Sequence, residues 1–367
     1  MENKLKQYFP MIREREEVLS EIRSRRELEE QFESWNGKQQ EEFLNFCTGV
    51  RGIKFLYDGF FKEIMNPENH SERMDDFLSQ MLGKGVKVLK VLPADSTRLA
   101  DEGSLVVMDI VVELEDGSIA NVEIQKVGYL FPGQRSACYS ADLLLRQYKR
   151  VRSERKKKFN YRDIKTVFTI ILLEKSSKEF HRKSGVYCHY FEQKSDTGLQ
   201  MELLQKYLFI PLDIFKAILQ NKGIHSKLEA WLTLFATDEP ERIIELIEKY
   251  PEFRKIYEEG YDICRNVEGV MTMFSRELYE LDRNTVQYMI DEMQDTIDAQ
   301  KDTIDSQQEK IENQKSRINE MQKMIEENIS GVVNMMKRSG VSKEIILKEI
   351  QEQYQLTSEQ AESYFNA

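Results

Sequence analysis

An α/β fold, helical at both ends and followed by a long coiled coil, is predicted by three observations. Apolar residues keep a rough helical period through the first 82 residues, alternate with period two between Val86 and Lys126, and later return to helical spacing. From Ile290 onward one isoleucine recurs every seventh residue, at 290, 297, 304, 311, 318 and 325. That spacing keeps a single stripe facing a partner helix. With 40% hydrophobic and 32% charged residues, the 367-residue chain has enough apolar content for a substantial core and enough length for two to three domains.

Val18, Ile22, Leu28 and Phe32 mark helix within 10–48, broken at Asn36-Gly37 and resumed from Glu41 to Cys47. A second helical pair spans Phe55–Met65, stopped by Asn66-Pro67, and Ser71–Leu82, ended by Gly83. Strands are then expected at Val86–Leu92, Leu105–Leu114 and Ile119–Lys126, the last two forming a hairpin around Glu115-Asp116-Gly117. Beyond Pro132-Gly133 a helix runs from Gln134 into a basic stretch whose end, 153–160, reads as a solvated loop. Strands follow at Thr166–Leu173 and Val186–Phe191, and 212–280 is helical. The expected segments are N-terminal helices 1–48, a strand-bearing core 49–215, a helical extension 216–280, a coiled coil 281–328 and a small helical module 329–367. With isoleucine at position a, position d holds Met293, Gln300, Gln307, Gln314, Met321 and Asn328, a largely polar seam. Self-association into a homo-oligomer through 281–328 is expected; the alternative is a solvated helix docked on its own domain.

Composition excludes several classes. The longest nearly unbroken apolar run, Val167–Leu173, is far short of the roughly 18 residues that span a bilayer, so no membrane partner is expected. The start of the sequence reads as a charged helix and not as an apolar signal core, which points to a cytoplasmic protein. Cys47, Cys138, Cys188 and Cys264 are scattered without C-x-x-C spacing, against a disulfide framework or a zinc knuckle. The histidines (His70, His181, His189, His225) show no metal-binding spacing. The net charge of −11 would argue against nucleic acid, but residues 241–367 hold 16 basic and 27 acidic residues and so carry all of it. Within the neutral remainder, Arg146 to Lys165 contains ten basic residues against Glu154 and Asp163, a local +8.

The hairpin carries the chemistry. A three-residue loop with Gly117 in the left-handed position pairs 109 with 123, 108 with 124, 110 with 122 and 112 with 120. That register puts the apolar residues on one face and Asp109, Asn121, Glu123 and Gln125 on the other. Two carboxylates opposite each other repel unless a cation lies between them, and all-oxygen ligation suits Mg²⁺ or Mn²⁺. Such an ion polarises a phosphoryl oxygen and acidifies water, as phosphodiester hydrolysis requires. A solvated outer face of the hairpin would explain the same pattern.

Asp109-Ile-Val-Val followed by Val122-Glu123-Ile124-Gln125-Lys126 resembles the D…ExK core of the PD-(D/E)XK nuclease superfamily. Tyr57–Ile64, Gly133–Ser140 and Leu143–Tyr148 extend the likeness to its transposase-associated branch, the Rpn-type recombination-promoting nucleases and putative transposases, over about 50–215. The resemblance implies an α-β-β-β-α-β core with a mixed sheet flanked by helices, and Asp109 and Glu123 as metal ligands. Gln125 stands where the catalytic lysine usually lies. An amide cannot act as a base, yet it can orient water or bond a phosphate oxygen. Lys126 should point to the opposite face.

Arg135 and Tyr139, four apart on one helix face, can approach a phosphate from the side or simply pack. Asp58 or Glu63, on the helix preceding the strands, is a candidate third acid. Arg146, Lys149, Arg150, Arg152, Arg155, Lys156, Lys157 and Lys158, with Tyr148, Phe159 and Tyr161 interleaved, form an expected DNA-binding stretch. The function read from the sequence is a Mg²⁺-dependent DNA endonuclease associated with transposition or recombination. A catalytically idle DNA-binding module and a coiled-coil scaffold for protein partners are the rivals.

Overall fold

The computed structural model describes residues 3–93, 109–126 and 132–367. The expected strand start at Leu105–Met108, and with it the pairing of Met108 with Ile124, lies outside the described residues. Two compact units occur, residues 1–290 and 291–367.

Helices α1 (Lys4–Tyr8), α2 (Arg15–Arg23), α3 (Arg26–Ser34), α4 (Gly37–Cys47), α5 (Asp58–Ile64) and α6 (Ser71–Leu82) lead into the sheet. Asn36-Gly37 is a helix start and not an interruption: the Asn36 side chain accepts hydrogen bonds from the backbone N–H groups of Lys38 and Gln39, so α4 begins four residues before Glu41. α6 ends where Gly83 adopts φ +64°.

The core continues through β1 (Val88–Leu92), β2 (Ile110–Leu114), β3 (Ile119–Gln125), α7 (Pro132–Arg155), β4 (Val167–Leu173), α8 (Lys178–His181), β5 (His189–Phe191) and β6 (Gln205–Pro211). Helices α9 (Leu212–Lys222), α10 (Lys227–Ala236), α11 (Pro240–Lys249) and α12 (Glu252–Arg265) follow, then α13 (Val267–Arg338), α14 (Lys343–Tyr354) and α15 (Ser358–Asn366). The sheet has the order β1-β2-β3-β4-β6-β5, antiparallel at β1-β2-β3 and at β5-β6, and parallel through β3-β4-β6. This is an α/β fold with a mixed sheet, as expected. β6 was not legible as a strand: its Tyr207–Pro211 run is short and without alternation, because parallel pairing buries it on both faces.

The hairpin follows the expected register, with Ile110 opposite Val122 and Val112 opposite Ala120. Its loop has three residues: the Leu114 N–H donates to the Ser118 carbonyl at 2.8 Å, and Gly117 takes φ +82°. Ile110, Val112, Ala120 and Val122 pack with Ile170, Leu172, Leu208 and Ile210 into the large core beneath the N-terminal and C-terminal helices of the first unit. On the other face Val111, Ile119 and Val167 are covered by Leu143 of α7. The side that carries the polar residues is therefore buried under α7 and does not form a solvated outer face. The 153–160 segment is also more ordered than a solvated loop. α7 runs to Arg155 and a 3-10 turn covers Lys156–Lys158. Beside it, Tyr148, Phe159 and Tyr161 pack together with ring centroids 5.3–6.1 Å apart.

In the second unit Ile329, Val333, Ile346, Ile350 and Ala361 bury a small core between the end of α13, α14 and α15. Ile297, Ile304, Ile311, Ile318 and Ile325 remain 49–54% exposed along α13. Among the described residues, no helix is long and apolar enough to cross a membrane.

A Cβ on Gly117 would force a side chain into left-handed backbone and meet Lys165 Cγ at 3.2 Å. Gly117→Ala is expected to cost about 1–2 kcal/mol, read as a lower urea midpoint. An unchanged midpoint would show that the loop, and with it the register, is different.

Candidate active site

One residue beyond the last pair between β2 and β3, the register brings Asp109 level with Glu123. The two strands are locked there by the Ile124 N–H, which donates to Asp109 Oδ2 at 2.7 Å. Glu123 and Gln125 are each 3% exposed and Asn121 is fully buried, since α7 lies over this end of β3. Alternation places all three on the same face as Asp109.

Low-dielectric burial disfavours the charged form of a carboxyl. It raises Asp109, with the charge of Asp58 adding to the rise and the Ile124 N–H, Lys62 and Lys126 opposing it. Glu123 is pushed up to about 8, first by burial and then by the charge of Asp109, against the Asn121 amide, the Arg135 guanidinium and the Asp109 N–H. Two neighbouring carboxyls that resist ionisation together hold a proton at neutral pH or share a cation. Glu123 Oε1 and both amide atoms of Gln125 are buried without a hydrogen-bond partner, an arrangement that costs free energy unless a ligand completes it. Among the described residues no group of three or more His, Cys, Asp or Glu could hold a metal. The protein would thus offer two carboxylates and leave other positions to water and phosphate oxygens, a division that suits Mg²⁺ or Mn²⁺. On this donor set the residues fit such an ion.

The auxiliary candidates separate. Asp58 pairs with Lys62 at 2.7 Å, and Lys62 Nζ lies 3.9 Å from Asp109 Oδ1, so this helix reaches the carboxylates. Glu63 is exposed to solvent on α5. Arg135 Nε–H donates to the Tyr139 hydroxyl at 2.7 Å, and its guanidinium lies over that ring. Burial, chiefly, raises the Tyr139 phenol, and the charge of Glu123 adds to it, which puts the pair beside the carboxylates. Lys126 turns away into a buried ion pair with Glu277 of α13, as the alternation of the strand requires.

The expected DNA-binding stretch is divided in the same way. Arg146 pairs with Asp142 and donates to the Pro93 carbonyl, Arg150 pairs with Glu113 at 3.0 Å, and Arg155 lies 3.4 Å from Asp163. Arg152 donates to the Tyr148 hydroxyl and stacks on its ring, with Lys149, Lys156, Lys157 and Lys158 exposed around it.

Two acids near the site were not read from the sequence. Glu174 follows β4, its N–H donating to the Gln125 carbonyl at 2.8 Å and its carboxyl raised by burial. An acidic residue directly ending an apolar strand was the available signal. Glu277 stands 151 residues after Lys126 in a charged helix and carries no local signal at all.

The family of PD-(D/E)XK nuclease family transposases matches residues 56–290, well over half of the chain. The match runs past 215, where the resemblance read from the sequence stopped, and takes in α9–α12 and the start of α13. No curated protein and no solved structure matches the chain. Nucleases of the PD-(D/E)XK type act on DNA and generally use divalent metal ions. A mixed sheet with paired acids at the mouth of its central hairpin, covered by a helix, agrees with the sequence match, and the chain belongs to the PD-(D/E)XK nuclease family transposases.

Proposed function

We propose that this chain is a Mg²⁺- or Mn²⁺-dependent DNA endonuclease that hydrolyses phosphodiester bonds in transposition or recombination. The observation that carries this reading is the pairing of the partly buried Asp109 with the buried Glu123, whose Oε1 has no hydrogen-bond partner. These two carboxylates hold the ion. Bound there, a divalent cation would polarise a phosphoryl oxygen and lower the pKa of water. The Gln125 amide, with donor and acceptor both free, orients water or bonds a phosphate oxygen in place of a lysine. Lys62 steadies Asp109, and Arg135, held against Tyr139, supplies a guanidinium to the scissile phosphate. Lys149, Arg152, Lys156, Lys157 and Lys158 are the cations best placed for DNA phosphates, whereas Arg146, Arg150 and Arg155 mainly brace α7.

Supercoiled plasmid with Mg²⁺ is expected to be nicked by the wild type, and Asp109→Ala should lower the rate by at least a hundredfold. Equal cutting by both removes the assigned site. Salt-sensitive retention of DNA without cutting would leave a binding module, and no retention would leave a protein scaffold.

The half-exposed isoleucines of α13 are proposed to be covered by a second copy of this chain, because a seven-residue apolar repeat has that geometry. The flanking e and g positions include Lys301, Lys310, Lys315 and Arg317 and no acid between 297 and 325. Like charges along a shared seam repel, and salt screens them. Light scattering of the full chain should therefore give a mass that rises toward an oligomer from low to high salt. A monomer at both salt concentrations would contradict self-association.

A further inference from the structure

We propose that Glu277 is a positioning residue for the carboxylate site, one that ties α13 to the end of the strand bearing Glu123 and to the helix whose Lys62 approaches Asp109. The inference rests on the proposed role of Asp109 and Glu123. Glu277 is 2% exposed and uses its two carboxylate oxygens separately. Oε1 pairs with Lys126, three residues after Glu123 and directly past the end of β3. Oε2 accepts from the N–H of Asp58 at 3.1 Å, at the first residue of α5.

Each contact leads to one side of the site. Through Lys126 the bracket fixes the end of the strand that presents Glu123 and Gln125. Through Asp58 it fixes the start of α5, whose Asp58 holds Lys62 at 2.7 Å, and Lys62 in turn approaches Asp109 at 3.9 Å. Lys126 is further confined by the Tyr57 ring, its Nζ 5.6 Å from the centroid. A carboxylate can serve two donors in different directions, and an amide has a single acceptor atom, so glutamine keeps at most one of the two contacts. Positioning within fractions of an ångström decides whether a constellation of this kind works.

Removing one member of a buried ion pair strands the other and can unfold a protein, whereas replacing both by apolar residues of similar size is often tolerated. The test therefore uses Glu277→Gln together with the double variant Lys126→Met/Glu277→Met in the full chain. Two readouts are compared: hydrogen exchange at the Ile124 amide without metal, and plasmid nicking with Mg²⁺ at saturating DNA. Positioning predicts that the double variant keeps wild-type thermal stability, yet exchanges Ile124 at least tenfold faster and turns over at least tenfold more slowly, with its KM for DNA unchanged. Wild-type exchange at Ile124 in a stable double variant would overturn the inference. So would wild-type turnover in Glu277→Gln. Should the wild type not nick at all, the proposed activity fails, while Ile124 exchange still decides whether Glu277 positions the site.

Discussion

Two carboxyl groups set side by side, Glu123 buried under a helix and Asp109 partly so, constrain everything around them. Asp109 and Glu123 cannot both ionise there at low cost without a compensating charge. The surrounding groups answer that constraint in part. The Ile124 N–H bonds one carboxylate, Lys62 stands 3.9 Å from it, and Arg135 bears on the other. Compensation is incomplete, as the buried and unpartnered Glu123 Oε1 shows. The Gln125 amide and the Asn121 amide on the same face are buried and unpartnered as well, so the shortfall extends along the polar face of β3.

The fold serves the pair by rigidity. A three-residue loop sets the register that places 109 level with 123, and a one-residue slip would turn one acid into the apolar core. Parallel pairing to β4 holds β3 through Gln125, and α7 closes the polar face. Behind the site, Lys126 and Glu277 form a second polar layer with Tyr57 against them. That layer joins the end of β3, the start of α5 and the start of α13, three segments far apart in sequence.

What was legible in the sequence follows from what is local. Alternation from Val106 to Gln125, with Glu115-Asp116-Gly117 between, was enough to derive the hairpin register and to gather Asp109, Glu123 and Gln125 on one face. Ser71–Leu82 was read to its ends because Gly83 supplies a left-handed stop. The burial of that polar face was not legible, since polar residues spaced two apart look identical on a solvated edge and under a helix. Glu277 was invisible for a related reason: one glutamate in a charged helix has no pattern, and only the tertiary fold brings it to Lys126. The basic stretch misled in a third way. A run of basic residues carries no mark of which are paired, and Glu113 and Asp142 take up Arg150 and Arg146.

Calorimetric titration of Mn²⁺ into the full chain at pH 7, run in two buffers of different ionisation enthalpy, tests the carboxylate pair most directly. A Glu123 carboxyl pushed up to about 8 is mostly protonated at pH 7, and a cation can bind only as that proton leaves. The folded state then holds a proton that the unfolded chain, with its ordinary carboxyl, has already released. The raised pKa therefore costs the metal-free fold stability as pH climbs toward 8, and a bound cation restores it. One strong site is expected, releasing close to ~1 proton per ion, tightening with pH up to about 8 and lost in Asp109→Ala. Mn²⁺ binding without proton release, or equal binding by Asp109→Ala, would contradict a cation site between Asp109 and Glu123.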